Sequence, residues 1–269
     1  MNYIGIGLRT PHFSAWEESP PKEINYLEAL SENHMTSRGR PYRILEKLRD
    51  QYALSFHGVS LSIARHDGLD QKYLKMLKAF IDEFNPLVVS DHLCWTGLPH
   101  QNAHNLLPVP YNQKNLEFIR SRVLQVQDFL KREIALENLS AYVDFKTSTM
   151  NEWEFWKSLL QQTDCKMMLD LNNVYVNAKN HQFDAKAYID AIPYEKIAQV
   201  HLAGFTDMGK FLFDTHSRPV YPEVWNLYRH LNQSKGPVNT IVEWDDDIPE
   251  LKVVIEEALK AKNIMEEFL

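Results

Sequence analysis

Histidine and carboxylate side chains interrupt six short apolar runs of this sequence, each near the C-terminal end of its run. They are His57 in ALSFHGV, His92 in LVVSDHL, Glu137 in EIALENL, Asp170 in KMMLDLN, His201 in IAQVHLA and Glu243 in NTIVEWD. A charge or imidazole inside an apolar strand needs a partner, because burying it bare is costly. Side chains of a strand alternate between faces, so each polar group can be assigned a side. His57 shares its face with Ser55, opposite Leu54 and Phe56. His92 sits with Ser90, Glu137 is opposite Leu136, Asp170 opposite Leu169, His201 opposite Val200 and Leu202, and Glu243 opposite Val242 and Trp244. One face of every run is therefore apolar, and the other ends in a nitrogen or oxygen donor.

Asp214 and His216 form an i, i+2 pair that would project both side chains one way in extended chain, and Asn173 follows Asp170 by three residues. Glu137, Asp170, Asp214 and Glu243 gathered in one low-dielectric pocket would repel strongly, which cations resolve. Protonation or pairing with arginine is the alternative, for which Arg9 is the suitably placed residue. Nine donors including a carboxylate able to bridge suit two or three ions better than one. A set of imidazole and oxygen donors without thiolate points to iron, manganese or zinc and away from Cu(I) or an iron–sulfur cluster.

These residues need a scaffold that brings six strand ends together. Two further strand candidates, IGIGLR from Ile4 and NYLEALS from Asn25, make eight. Between the runs lie helical patterns such as YRILEKLRDQY, LDQKYLKMLKAFIDEF, NQKNLEFIRSRVLQVQDFLKR and PEVWNLYRHLNQ, and PELKVVIEEALKAKNIMEEF follows the last. Alternating strand and helix without a glycine-rich dinucleotide turn predicts a (β/α)8 TIM barrel, one domain over residues 1–269, with the donors at the C-terminal mouth. Long irregular connections are expected after the first strand (PHFSAWEESPPKE), the fourth (CWTGLPHQNAHNLLPVPYN) and the seventh (GFTDMGKFLFDTHSRPVYP).

Substrate contacts are expected from Arg9, His12, Asn33, His34, His104 and Asn138. Asp91 has the wrong parity for the barrel axis and is expected to support a ligand or to bond within the helix layer. Asp245, Asp246 and Asp247 read as a solvated loop capping the last helix, and His66, His100, His181 and His230 as surface residues. Cys94 is the thiol nearest the mouth, and a small buried hydrophobe is the simpler role for it.

Asp plus Glu exceed Lys plus Arg by 36 to 29, a net charge of −7 that repels phosphate backbones and disfavours nucleic acid as a partner. No run approaches a membrane span, and the start MNYIGIGLRT lacks the pattern of a secretory signal. Two cysteines exclude a disulfide framework, so a cytoplasmic location is expected.

The motifs SFHGVS, SDHLCW, ALENLS, LDLNNVYVN, QVHLAGF, DTHSRPV and VEWDDDIP, spread along nearly the whole chain, resemble those of the multinuclear non-haem iron-dependent oxidative enzymes, which include the iron subunit of the methanobactin oxazolone/thioamide synthase. The resemblance implies a TIM barrel of the xylose isomerase/endonuclease IV type holding two or three irons, with dioxygen as co-substrate, acting on residues, often cysteine, of a ribosomally made peptide. It implies iron ligation by His57, His92, Glu137, Asp170, Asn173, His201, Asp214, His216 and Glu243, with Glu137 bridging. It also implies a separate partner protein that recognises the peptide leader. His34 departs from the pattern, standing where relatives commonly show an aromatic.

Other functions compatible with such a cluster are a zinc phosphoesterase similar to endonuclease IV, a sugar isomerase-like barrel, and a metal-storing or docking protein without turnover. Asn173 in place of a histidine ligand and the acidic charge count against the first.

Overall fold

The computed structural model describes residues 2–98 and 101–269; the side chains of Leu98, Gln101 and Asn102 are left aside, and His100 lies outside the described residues. Eight parallel strands close into a barrel: β1 (Ile4–Gly7), β2 (Tyr26–Leu30), β3 (Ala53–Gly58), β4 (Val88–His92), β5 (Ala135–Glu137), β6 (Lys166–Asp170), β7 (Ile197–Leu202) and β8 (Thr240–Val242). Each pairs with its chain neighbours, and β8 closes on β1 through Ile4↔Thr240, Gly5↔Ile241 and Ile6↔Val242. The expected barrel is the observed one, and all eight strands fall within the predicted runs.

The helices are α1 (Phe13–Glu18), α2 (Ser31–Met35), α3 (Arg40–Leu48), α4 (Gln71–Phe84), α5 (Gln113–Leu130), α6 (Glu152–Thr163), α7 (Leu171–His181), α8 (Ala185–Ala191), α9 (Pro222–Lys235) and α10 (Leu251–Glu266). Local chemistry sets their ends. The Asp70 carboxylate accepts from Lys72 N at 2.8 Å and Tyr73 N at 3.1 Å to start α4, and Asn112 accepts from Asn115 N to start α5. Asn85, Lys131, Asp164 and Gln182 close four helices in the left-handed conformation. Among the described residues, no helix is long and apolar enough to cross a membrane.

The outward faces of the strands bury Leu54, Phe56, Val89, Leu136, Leu169, Val200 and Val242 in the main core beneath the helices. Phe56 stacks on Phe80 of α4 with ring centroids 4.1 Å apart. Full burial of each such side chain contributes about 1.5–3 kcal/mol, which fixes strand register and with it the side each donor faces. A smaller cluster of Val88, Ala135 and Met168, with Ala198 against it, forms a separate apolar plug.

Two of the expected irregular connections are partly ordered as hairpins. Trp95–Leu98 pairs antiparallel with Gln101–Leu107 after β4, and Thr206–Asp207 with Leu212–Phe213 after β7. Both lie outside the barrel's βα alternation, where the sequence pattern suggests only loops.

A candidate metal centre at the barrel mouth

The strand pairings set the donors beside one another. His57 pairs with Ser90, His92 with Glu137, and Asp170 with His201, while Glu243 N donates to Leu202 O at the end of β8. All six strand-end donors are buried. Glu137 stands at the centre. Its Oε2 lies 3.1 Å from His57 Nε2 and 3.3 Å from His92 Nε2, and its Oε1 lies 3.6 Å from His201 Nδ1. Glu243 Oε2 continues the chain, 3.0 Å from His201 Nδ1 and 3.2 Å from His216 Nδ1. The other edge of His216 faces Asp214 Oδ1 at 2.7 Å and Asp170 Oδ2 at 3.6 Å.

Three groups could each hold a metal ion: His57, His92 and Glu137; Glu137, Asp170, His201 and Glu243; and His216, Glu243 and Asp245, each with donor atoms within 4.8 Å of one another. Glu137 is common to the first two and Glu243 to the last two. Buried polar atoms normally have hydrogen-bond partners. Here Glu137 Oε2, Asp170 Oδ2, His201 Nδ1 and His216 Nε2 are buried without one, despite their short contacts with neighbouring donors. Atoms that approach closely yet off the hydrogen-bonding axis fit a shared cation, and the donor chemistry suits iron, zinc or manganese.

Local structure explains several placements. β6 runs directly into α7, so Asp170 is also the helix N-cap, its Oδ1 accepting from Asn173 N at 2.7 Å while Oδ2 points to the cluster. Asn173 lines the mouth, with its amide oxygen accepting from Ser140 Oγ at 2.8 Å and its Nδ2 donating to Asn138 O. Asp214 and His216 converge as expected, but not through extended chain: His216 has φ of +47°, a left-handed conformation uncommon for a residue other than glycine.

Burial acts against every charge here, and neighbours decide the balance. It would lower the His57 imidazole, yet Glu137 reverses this and raises it to about 9. Burial opposes the charge on His201 and His216 too, and their carboxylate neighbours raise both well above the usual range. Glu137 and Glu243 are held low by histidines despite burial. Burial pushes Asp170 well up, with Glu137 and Asp214 adding to it. His92 is lowered by burial. Metal binding here would therefore compete with protons for the same donor atoms.

A cavity of about 580 Å³ opens above the donors, its wall including Leu106, Ser140, Tyr142, Phe213, Arg9 and Asn33. Arg9 is buried, pairing with Glu243 Oε1 at 2.8 Å and Asp245 Oδ1 at 2.5 Å. Gly7 makes this possible, since a Cβ there would meet the Arg9 guanidinium at 2.7 Å.

The other expected substrate residues are placed differently. His12 is buried with Nε2 on Pro249 O, and His34 is buried near Phe13, its imidazole pushed down to about 4 by desolvation. Asn138 clamps two strands, accepting from Asp170 N and donating to Asp170 O. These three turn to structural partners instead of the cavity. His104 is exposed on the hairpin after β4 and is not part of the described cavity wall.

Asp245 corrects another expectation. It is exposed, as are Asp246 and Asp247, yet it accepts from Arg9 and faces His216 Nδ1 at 3.3 Å, and it does not cap α10, whose N-cap is Glu250. Asp91 bonds to the backbone N–H groups of Leu61 and His92 and approaches Tyr73, bracing the strand end. Cys94 is fully buried, and desolvation raises its thiol well above the ordinary range.

Glu28 went unrecognised in the sequence. It is fully buried on β2, within 3.0 Å of His201 Nε2 and 2.5 Å of Gln199 Nε2. Its signal was the same as for the others, a charge between Leu27 and Ala29 inside a strand, but it lies mid-strand. Tyr142, in the segment after β5, and Phe213, in the hairpin after β7, line the cavity and carried no comparable signal.

Comparison with solved structures places the fold among barrels of low sequence similarity. It is similar to the apo form of 3-keto-D-glucoside 4-epimerase from E. coli (TM-score 0.65, 9% identity, 98% of this chain and 100% of that one). It is also similar to endonuclease IV from Thermus thermophilus (TM-score 0.61, 13% identity, 98% and 99% covered). Sequence relatives are much nearer. A UPF0276 protein of Vibrio parahaemolyticus is 45% identical over 97% of this chain and 92% of its own length. One from Acaryochloris marina is 46% identical over 96% and 92%. The family profile described as RiPP precursor modification enzyme MbnB/TglH/ChrH matches residues 3–266, and the chain belongs to that family, whose members modify ribosomally made peptide precursors.

Proposed function

We propose that this protein uses two or three iron ions at the barrel mouth, together with dioxygen, to modify oxidatively a residue, cysteine foremost, of a ribosomally made peptide. The observation that carries the proposal is the convergence of buried, partnerless donors about Glu137 in a chain of this enzyme family.

His57, His92 and Glu137 would hold one ion; Glu137, Asp170, His201 and Glu243 a second; Asp214 and His216, with Asn173, a third. Bound iron supplies the redox capacity to activate dioxygen, which the side chains lack. The protein's own contributions are more specific. Glu137, with Oε2 beside His57 and His92 and Oε1 nearest His201, would link the first two groups, and Glu243, with Oε2 between His201 and His216, would link the second to His216. Arg9 holds Glu243 and Asp245 in place and limits the negative charge facing the cavity. Tyr142 and Phe213 flank the entrance with ring centroids 5.2 Å apart, and Phe211 extends the aromatic edge outward. These rings would seat apolar groups of the peptide beside the modified residue and exclude water from it. Leader recognition falls to a separate partner protein, and the reaction to the cytoplasm.

The test is to isolate the protein anaerobically, quantify iron, zinc and manganese, and measure oxygen uptake with a candidate precursor peptide and its leader-binding partner. Iron in multiple equivalents with peptide-dependent oxygen consumption is expected. Zinc in those positions with phosphodiesterase or sugar-isomerising activity would overturn the proposal.

A further inference from the structure

The four histidines of the cluster do not all present the same nitrogen. His57 Nδ1 lies 2.9 Å from Ser90 Oγ, His92 Nδ1 lies 3.1 Å from Gly58 O, and His216 Nδ1 faces Glu243 and Asp245. His57 and His92 turn Nε2 toward Glu137, whereas His216 faces carboxylates of the cluster with both nitrogens. His201 is reversed. Its Nε2 points down the barrel to Glu28, 3.0 Å from Oε1 and 3.1 Å from Oε2, while Nδ1 faces Glu137 and Glu243.

Building on the metal centre proposed above, we propose that Glu28 is a positioning residue that holds the proton of His201 on Nε2, making His201 an Nδ1 ligand beside Nε2 ligands. A lone pair on Nε2 would face the Glu28 carboxylate, whose Oε2 stands in hydrogen-bonding geometry at 3.1 Å, so a proton there is favoured. The neutral ring then carries its lone pair on Nδ1, an atom buried without a hydrogen-bond partner. A carboxylate on the outer nitrogen of a metal-binding histidine fixes the ring and raises its basicity.

Glu28 is itself held in place. Gln199 donates to Glu28 Oε2 at 2.5 Å and accepts from Tyr26 Oη at 2.5 Å, and Ser55 Oγ lies 3.3 Å from the same carboxylate oxygen. Gln199 Nε2 also comes within 3.2 Å of His201 Nε2; with its oxygen held by Tyr26 and one N–H given to Glu28, its second N–H competes with Glu28 for that nitrogen, and the carboxylate oxygens at 3.0 and 3.1 Å lie nearer. The polar line Tyr26–Gln199–Glu28–His201 crosses the barrel interior from β2 to β7 and ends at the centre of the cluster. Glu28 has no part in any of the three donor groups. Its reach to the metals is through His201.

The decisive measurement uses metal-free protein with ¹⁵N-labelled histidine and zinc chloride as a diamagnetic probe, read by long-range ¹H–¹⁵N correlation. Zinc-loaded His201, assigned by loss of its signals in His201→Gln, is expected to retain its proton on Nε2, while His57 and His92 retain theirs on Nδ1. A zinc-bound His201 with its proton on Nδ1 overturns the role of Glu28 and leaves the metal centre standing. If zinc moves no histidine signal, the metal centre fails and the inference with it. Glu28→Gln keeps a carbonyl acceptor and should preserve the Nε2–H form. Glu28→Leu removes the acceptor and should weaken zinc at the His201 position by about 10- to 100-fold, leaving the His57 and His92 signals in place. Equal zinc binding by the leucine variant at that position would count against the proposal. The wild-type measurement stands even if that variant does not fold.

Discussion

Two buried acidic regions lie on either side of the segment that follows β5. On one side Leu139, Ser140 and Tyr142 face the mouth cavity; on the other Ala141, Val143 and Asp144 line a second cavity whose wall includes Glu152. Asn177 of α7 pins the segment between them, donating to Leu139 O and accepting from Ala141 N. Glu152 is one carboxylate among neutral donors. Tyr188 Oη lies 3.0 Å and Trp156 Nε1 3.3 Å from its Oε1, and burial raises the carboxyl to about 7. Such a site balances itself with a single proton. At the mouth, Glu137, Asp170, Asp214 and Glu243 share space with four histidines and Arg9, and neutral donors meet only some of their oxygens, Asn172 Nδ2 on Asp214 Oδ1 and Asn173 N on Asp170 Oδ1. The difference separates a lone buried acid from a group of acids and histidines that could hold metal ions. Burial and a shifted pKa occur in both regions; the mouth adds partnerless atoms on several residues aimed at common points.

The strongest way to break this comparison is Glu137→Gln. If Glu137 joins two metal positions, its loss should remove more than one equivalent of metal and abolish peptide modification. The checks are elemental analysis of anaerobically loaded protein and the thermal midpoint with and without chelator. Chelation should lower the wild-type midpoint, because ligands that bind only the folded chain stabilise it, and should have much less effect on the variant. Unchanged metal content would return Glu137 to the class of Glu152.

A smaller effect is expected from Asp245→Asn. Asp245 faces His216 Nδ1 and is held by Arg9. Weakening this support should reduce metal affinity about 10- to 100-fold at the His216 position. The His57, His92 and Glu137 group lies away from Asp245 and should keep its metal. Metal titrations separate the two outcomes, and uniform loss at all positions would point to general disruption of the mouth.

Both of these tests concern donors with different visibility in the sequence. His57, His92, Glu137, Asp170, His201 and Glu243 were legible because strand parity is strict and the apolar face of each strand is continuous, so a polar residue on the other face has to be inside the barrel. Glu28 obeys the same rule but stands mid-strand, away from the strand ends where the other donors cluster. Asp245 was obscured by standing in a run of three exposed aspartates. It becomes part of the site only because Arg9, more than two hundred residues away in sequence, folds back over Gly7 to meet it. His12, His34 and Asn138 show the opposite limit. Their position beside the mouth was readable, whereas the partners that turn them away from the cavity depend on loop paths that no periodicity encodes. The hairpins after β4 and β7 were missed for the same reason.

The entrance offers a test that leaves the metals untouched. Tyr142, Phe211 and Phe213 are each about two-fifths exposed, an unusual cost for three clustered aromatics unless something covers them in use. Replacing Phe211 and Phe213 together by Ala should raise the apparent KM for peptide about 5- to 30-fold, the equivalent of roughly 1–2 kcal/mol of aromatic contact, with metal content unchanged. A loss confined to kcat would place these rings elsewhere in the reaction.

Glu152→Gln probes the other side of the comparison, and its expected effect is on stability alone. The folded-state pKa of Glu152 is raised to about 7 from an ordinary value of 4.5. Below the ordinary value both folded and unfolded chains are protonated, and the stability associated with the neutral buried acid is fully present. As pH rises toward 7 the unfolded chain releases its proton first, so this stability declines, and above about 7 the loss is complete. The full span is of order 3 kcal/mol before relaxation and water entry reduce it. Glutamine does not ionise, so urea unfolding at pH 5 and pH 8 should show the wild type losing stability relative to the variant over that interval. Metal content should be the same in both proteins. A pH-independent difference would mean that Glu152 is already ionised at pH 5, with Tyr188, Trp156 and Asn177 solvating its charge, and that a lone buried acid in this fold needs neither a proton nor a cation.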